Sequence, residues 1–315
     1  MPISPLNIFC NASFGNTATA LLTEATAGHI IARNESEFST AAIAFGQPDP
    51  QLVINSPNLR WVHLTTAGYT RYDTAAVREA LKARGAVFTN SSQVYAIPCA
   101  QHVLAMMLAD ARQLYPSHDS QRTDHAWHQQ ARRRESYLLD GQTVLLLGLG
   151  AIARHLIGLL APFGMKIVAV RRSGQPYPGI EVVGEARLPE ALAQADHVVN
   201  LLPESDSTIG FVGHELLGRM RPEARFYNVG RGKTVDQDAL LTALQNGRLR
   251  AAYLDVTEPE PLPAEHPLWT APNCFITPHT AGGHLGEGTR LVQHFVRNLR
   301  AFEAGEAMSD CVLQE

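Results

Sequence analysis

Cysteine is scarce in this chain of 315 residues, and the four present, Cys10, Cys99, Cys274 and Cys311, include no C-x-x-C pair. That excludes a disulfide framework and a zinc knuckle and makes a reducing cytoplasm the expected setting. Charge is modest too: charged residues make up 18% and the formal net charge is −4, so the chain has no general attraction for polyanions. Nucleic acid is not an expected partner. The longest apolar runs stop short of a membrane span, and the opening MPISPLNIFCNASF has neither the basic segment nor the apolar core of an export signal. Neither membrane insertion nor export is expected. His, Cys and carboxylate residues show no recognised ligand spacing, so no metal is expected either.

What is there is alternation. A chain of this length divides more naturally into two domains than it folds as one. From Leu6 to Asn90, the strand-like segments LNIFC, AAIAF, RWVHLTT and GAVFTN alternate with helical ones such as TAAVREALKARG, which ends at Gly85. That pattern predicts a parallel sheet covered by helices. Cys99 to Leu114 is apolar nearly all round and reads as a buried helix. Residues 117–136 are polar and rich in His and Arg, a solvated helix or arm whose one large apolar residue, Trp127, either caps the core or anchors a partner subunit. From Gly141 the alternation resumes through TVLLLGLG, KIVAV, HVVNLL, ARFYNVG, AAYLDV and CFITPH, a second doubly wound unit. The closing stretch LGEGTRLVQHFVRNLRAFEAGE is an amphipathic helix expected to pack on the first lobe.

The run Gly148-Leu149-Gly150-Ala151-Ile152-Ala153 follows a strand and opens a helix, the setting a dinucleotide fingerprint needs. Gly148 permits a tight turn. Gly150 lets the backbone approach a pyrophosphate at the helix N-terminus, where unpaired N–H groups favour an anion. The next strand ends at Arg171-Arg172-Ser173, where an NAD enzyme places an acid for the ribose hydroxyls. A guanidinium there pairs with a 2′-phosphate, so the expected coenzyme is NADP(H), with NAD(H) the lesser choice.

Three later segments carry a resemblance: Asn228-Val229-Gly230-Arg231-Gly232-Lys233-Thr234-Val235-Asp236, then Leu254 to Pro263, then Thr277-Pro278-His279-Thr280-Ala281-Gly282-Gly283. In order, separation and position after the glycine loop the chain resembles the D-2-hydroxyacid dehydrogenase family, most closely its NADP-using glyoxylate and hydroxypyruvate reductases. The resemblance implies that Arg231 is the substrate arginine, His279 the proton donor or acceptor and Glu260 its acidic partner. The chemistry asks for the same types: a guanidinium to hold a carboxylate and polarise a carbonyl, and an imidazole that titrates near neutrality beside a carboxylate that favours its charged form. Singly, each also admits a structural role: Arg231 capping a strand end, Glu260 one acid of an exposed Pro-rich loop, His279 a hydrogen-bonded structural residue. Glu258-Pro259 competes with Glu260-Pro261 for the family's Glu-Pro motif, and the Leu-Pro that follows favours Glu260.

The resemblance extends to Leu64-Thr65-Thr66-Ala67-Gly68-Tyr69, similar to the family's substrate loop, in which Ala67, Gly68 and Tyr69 present backbone N–H groups to a carboxylate. The acid that usually follows this glycine closely is displaced here to Asp73. It implies coenzyme contacts at Gly148, Gly150, Ala151, Ile152, Arg171, Arg172, Ser173, Leu202, Pro203, Val229, Gly230, Asp255 and Gly282. His63, His102, His284 and Cys274 read as packing or surface residues. The expected architecture is two Rossmann-like lobes, a flavodoxin-like substrate domain from residues 1–99 and 284–315 and a dinucleotide-binding domain from residues 100–283, with the active site between them; the resemblance further implies a homodimer formed through the coenzyme lobe. Alternatives on the same fold are a dehydrogenase for another substrate such as phosphoglycerate, or a corepressor that binds the dinucleotide without turnover.

Overall fold

The computed structural model describes residues 5–313. They divide into two compact units, one built from the residues up to Tyr95 and those from Gly283 onward, the other from Ala96–Gly282. The first unit opens with β1 (Asn7–Cys10), α1 (Asn16–Ala25), β2 (Ile30–Ala32), β3 (Ile43–Gly46), α2 (Pro50–Asn55), β4 (Trp61–Leu64), α3 (Ala75–Arg84) and β5 (Val87–Thr89). Its strands form one parallel sheet in the order β2-β1-β3-β4-β5. Ile8, Phe9, Ile43, Ala44, Trp61 and Val62 are fully buried, as expected of strands covered on both faces. α3 shows how local chemistry sets an element: the Thr74 hydroxyl accepts from the Val77 N–H at its start, Val77 and Leu81 bury one face, and Gly85 ends it at φ 59°.

α4 (Ser92–Ala111) begins earlier than Cys99 and runs through Pro98. It is long and apolar enough to cross a membrane by length and composition, which corrects the expectation that no run approaches that length. Its buried residues include Ala96, Ala100, Val103 and Met107, spaced as one helical face packed in a protein interior. The polar stretch after it is two short helices, α5 (Leu114–Arg122) and α6 (Gln129–Glu135), neither burying a residue. Between them the Asp124 carboxylate accepts from the Ala126 N–H and pairs with His128 at 3.0 Å.

The second sheet comprises β6 (Thr143–Leu147), β7 (Lys166–Val170), β8 (Glu181–Val183), β9 (His197–Asn200), β10 (Arg225–Asn228), β11 (Ala251–Leu254) and β12 (Cys274–Ile276). The intervening helices are α7 (Ala151–Leu160), α8 (Leu188–Gln194), α9 (His214–Arg219) and α10 (Gln237–Gln245). All seven strands are parallel, in the order β12-β11-β10-β9-β6-β7-β8. On one face Tyr227, Tyr253 and Phe275 stack across β10, β11 and β12 with centroids 5.0 Å apart at each step. Such aromatic pairs add about 0.5–1.5 kcal/mol each beyond their buried area.

α11 (Glu287–Ala304) belongs to the first unit and buries Leu291, Val292, Phe295, Val296 and Leu299. The Phe295 ring stacks on Phe45 at 4.1 Å and on Trp61 at 5.2 Å.

Candidate active site

The loop after β6 is shaped by its glycines. Gly148 has φ +102°, a conformation that L side chains rarely adopt. Gly150 has an ordinary extended backbone, and a Cβ there would meet no protein atom within 4 Å, so the protein's own packing does not require glycine. It leaves room directly before α7, whose first-turn N–H groups have neither an intrahelical partner nor a side-chain cap. Ala153 is fully buried beneath them. An open, donor-rich cradle at the C-terminal end of the strand beside which the order reverses fits a dinucleotide pyrophosphate. At the end of β7, Arg172 and Ser173 are exposed and Arg171 is half-buried; neither arginine forms an ion pair among the described residues.

Arg231 follows β10 on a backbone that is squeezed on both sides. A Cβ at Gly230 would lie 2.7 Å from the Leu202 carbonyl oxygen, and one at Gly232 would lie 1.9 Å from that of Thr257, so packing itself demands both glycines. Beneath the arginine, buried Asn200 donates to the Asn228 side-chain oxygen at 3.0 Å and to the Thr234 hydroxyl at 2.7 Å. Asn228 and Thr234 in turn donate to the Arg231 carbonyl, at 3.2 and 2.6 Å. Of the guanidinium, Nη1 donates to the Gly230 carbonyl at 2.6 Å. Cys99 lies near Arg231 and Asp255; burial first, then the Asp255 charge, pushes its thiol up to about 12, so it is no nucleophile at neutral pH.

His279 Nδ1 lies 2.8 Å from Glu260 Oε2, while Oε1 of the same carboxylate accepts from the Thr257 N–H at 3.0 Å. Both side chains are substantially exposed, and His279 sits at φ 52°, a costly conformation for a side-chain-bearing residue. Asp255 keeps it there. The Asp255 carbonyl accepts the His279 N–H at 2.8 Å, and its buried carboxylate accepts from the Thr277 hydroxyl and from the N–H groups of Thr280 and Ala281 at 2.6–3.0 Å. His102, read from sequence as packing, reaches this group: its Nε2 lies 3.1 Å from the Thr277 hydroxyl. Burial disfavours the protonated form of His102, partly offset by the Asp255 charge.

In the first unit, Ala67, Gly68 and Tyr69 follow β4 and are partly exposed. Asp73 pairs with Arg78 at 2.6 Å and is thus committed to the start of α3. His63 and Cys274 pack as expected: His63 is fully buried between Thr89 and Ser91, and burial pushes the Cys274 thiol up to about 12.

Comparison with known proteins places the chain. Residues 104–281 match the D-isomer specific 2-hydroxyacid dehydrogenase, NAD binding domain. The chain belongs to that family. It is an NAD(P)-dependent oxidoreductase acting on 2-hydroxy or 2-oxo acids. This dehydrogenase is 32% identical to a glyoxylate reductase of Pyrococcus furiosus over 85% of this chain and 80% of that one. It is 31% identical to a glyoxylate/hydroxypyruvate reductase B of Yersinia pestis over 85% and 81%. In structure it resembles a D-isomer specific 2-hydroxyacid dehydrogenase of Xanthobacter autotrophicus Py2, solved with NADPH and MES, at a TM-score of 0.82 and 28% identity over 98% of both chains.

Within the second unit the dehydrogenase brings Glu260 to His279 and fastens both to one loop system. Sequence reasoning missed the supports: Asn200 and Thr234 under Arg231, and the anchoring duty of Asp255. For Asn200 and Asp255 the signal was a buried polar residue at or just beyond a strand's C-terminal end, visible only once the strands are in register, while Thr234 is buried in the turn that follows Arg231.

Proposed function

We propose that this dehydrogenase reduces a small 2-oxo acid, glyoxylate or hydroxypyruvate, using NADP(H) in preference to NAD(H). The observation that supports it most is the Glu260–His279 pair at 2.8 Å. With Nδ1 engaged by the carboxylate, Nε2 is the nitrogen left to exchange a proton with substrate oxygen. When bound, the reduced nicotinamide supplies a hydride to the carbonyl carbon. The guanidinium of Arg231 holds the substrate carboxylate and polarises the carbonyl, and His279 delivers the proton that turns the forming alkoxide into a hydroxyl. Glu260 orients the imidazole and balances its charge. Ala67, Gly68 and Tyr69 contribute backbone N–H groups to the substrate carboxylate. The glycine loop, Ala151 and Ile152 take the pyrophosphate, and Leu202, Pro203, Val229, Gly230, Asp255 and Gly282 line the remainder of the coenzyme path. Gly230 and Asp255 serve there through the backbone shapes they enforce.

Preference for NADP(H) is supported by the uncommitted Arg171 and Arg172 and by the NADPH in the Xanthobacter relative. Four scattered cysteines with no C-x-x-C pair suit a cytoplasmic enzyme. A homodimer through the α5–α6 arm is supported by Trp127, 91% exposed beside a cavity of about 590 Å³. Assays of glyoxylate, hydroxypyruvate, pyruvate, phenylpyruvate and 2-oxobutyrate, each with NADPH and NADH, test the reading. The two smallest polar acids with NADPH should give the highest kcat/KM, and Arg171→Ala with Arg172→Ala should raise the KM for NADPH far more than for NADH. An initial preference for NADH, or no turnover with any 2-oxo acid, overturns it.

A further inference from the structure

The loop that carries Ala67, Gly68 and Tyr69 is tied down from behind, carbonyl by carbonyl. The Thr66 carbonyl accepts the Ser91 N–H at 3.0 Å, the Ala67 carbonyl accepts Asn90 Nδ2 at 2.7 Å, and the Gly68 carbonyl accepts the Thr66 hydroxyl at 2.8 Å. In a trans peptide the C=O and the next N–H point in opposite directions. Three successive carbonyls turned towards the protein therefore turn the N–H groups of Ala67, Gly68 and Tyr69 away from it. None of those three N–H groups has an acceptor among the described residues.

Asn90 is the member of this set that is itself held on every side. It is buried, with 2% of its surface exposed. Its Oδ1 accepts the Ser92 N–H at 3.1 Å, which leaves Nδ2 as the group facing the Ala67 carbonyl. Its backbone N–H donates to the Asp310 carbonyl at 3.0 Å, and its carbonyl accepts from His294 Nε2 at 3.2 Å. Asp310 lies on the segment after α11, which clips along β5: Val312 donates to the Phe88 carbonyl, and Thr89 bridges to Cys311. The Asp310 carboxylate accepts from the Gln93 N–H at 2.8 Å and from its side chain at 3.1 Å, and lies 3.2 Å from His294 Nε2. Burial alone would raise the Asp310 carboxyl, but the bonds from His294 and Gln93 hold it below its ordinary value. Ser309 is fixed to buried Asn298 on α11.

We propose that Asn90, clamped by Asp310 and His294, is a positioning residue that aims the Gly68 N–H and its neighbours at the substrate carboxylate. The inference rests on the reading that this loop binds substrate, and adds that the C-terminal segment sets its geometry. Asn90 touches no substrate; it acts through the Ala67–Gly68 peptide plane.

Asn90→Asp tests this, because it keeps shape and the Ser92 bond but sets an acceptor against the Ala67 carbonyl. The KM for glyoxylate should rise about tenfold or more, the yield expected from one buried hydrogen bond replaced by repulsion. kcat should move far less, and the Kd for NADPH, read by fluorescence titration, should stay at the wild-type value. As pH falls, the introduced carboxyl takes up a proton and becomes a donor, so the ratio of variant to wild-type KM should return towards one. A merely structural defect would not show that recovery. Asp310→Ala keeps the backbone bond to the Asn90 N–H but removes the carboxylate that holds Gln93 and His294, so it loosens the clamp from behind; it should shift KM in the same direction by less, and carries the test if Asn90→Asp melts early. Gly68→Val separates the inference from the reading beneath it. A raised KM there with an unmoved KM in Asn90→Asp and Asp310→Ala overturns the inference alone, and an unmoved KM in all three overturns the loop's role and the inference with it.

Discussion

In both units the strand order reverses beside the first strand: β1 lies between β2 and β3, and β6 between β7 and β9. Such reversals open a crevice at the C-terminal strand ends, the usual place for a ligand on a parallel sheet. The two crevices are furnished oppositely. After β1, Asn11 bridges to the chain beyond β3, accepting from the Gln47 N–H at 2.8 Å and donating to the Gln47 carbonyl at 2.9 Å. It lies so close that a Cβ on Gly46 would be 2.1 Å from its side-chain oxygen. After β6 there is no such side chain: Gly148 turns and Gly150 faces open space. One sheet closes its reversal with an asparagine and keeps it as framework, while the other leaves it bare for a coenzyme.

If the second unit holds the chemistry, the largest effects belong there. His279→Ala should lower kcat about 10²–10⁴-fold, the usual contribution of a positioned acid or base. Arg231→Lys should lose most of kcat/KM, because an ammonium cannot hold carboxylate and carbonyl as a fork does. NADPH binding should survive both changes. Turnover retained in either variant would show that the residue serves only the fold.

The crevice contrast is tested more directly by exchanging roles. Gly150→Val meets no protein atom at its Cβ, so the fold should tolerate it, yet the added side chain enters the space assigned to the pyrophosphate. The Kd for NADPH should rise by at least about tenfold, roughly 1.4 kcal/mol, with little change in melting temperature. Asn11→Ala should do the reverse, costing about 1–2 kcal/mol of stability through two lost hydrogen bonds and leaving the coenzyme Kd alone. Parallel behaviour of the two variants would mean the crevices do not differ in kind.

How much of this was legible in the sequence follows from where the signal lies. Strands buried on both faces, such as TVLLL and KIVAV, announce themselves by composition, and the glycine loop by its place between strand and helix. β2 and β8 escaped because each is a three-residue edge strand, too short for a run or an alternation to mark it. α4 starts at Ser92, ahead of the apolar stretch that begins at Cys99, and passes through Pro98, a residue that ordinarily marks a boundary. The His279–Glu260 pairing was implied by family resemblance. The supports at Asn200, Thr234, Asn90 and Asp310 were not, since each partners a residue between 23 and 217 positions away. Hydrogen bonds across that separation have no local pattern to read.

The smallest effect tests whether the two cores, unlike the two crevices, behave alike. Each encloses a neutral histidine. Burial drives His197 in the second unit down to about 3, helped by the Arg225 charge and opposed by that of Asp110. Burial, reinforced by the charge of His294, holds His63 in the first unit well below its ordinary value. An unfolded histidine takes up its proton near pH 6.5 while these folded ones refuse it, so below about 6.5, and for His197 down to about 3, the unfolded state binds more protons and stability falls as pH falls. By pH 5.5 His197 should cost about 1.4 kcal/mol relative to pH 7 and above, where its contribution is intact, and His63 should act in the same direction. His197→Gln removes one titrating group whatever constant offset it adds. Urea unfolding at pH 7.5 and 5.5 should therefore show the variant losing less stability than the wild type by about that amount, and His63→Gln should lose less in the same direction. Equal acid losses in wild type and both variants would mean that neither core excludes the proton.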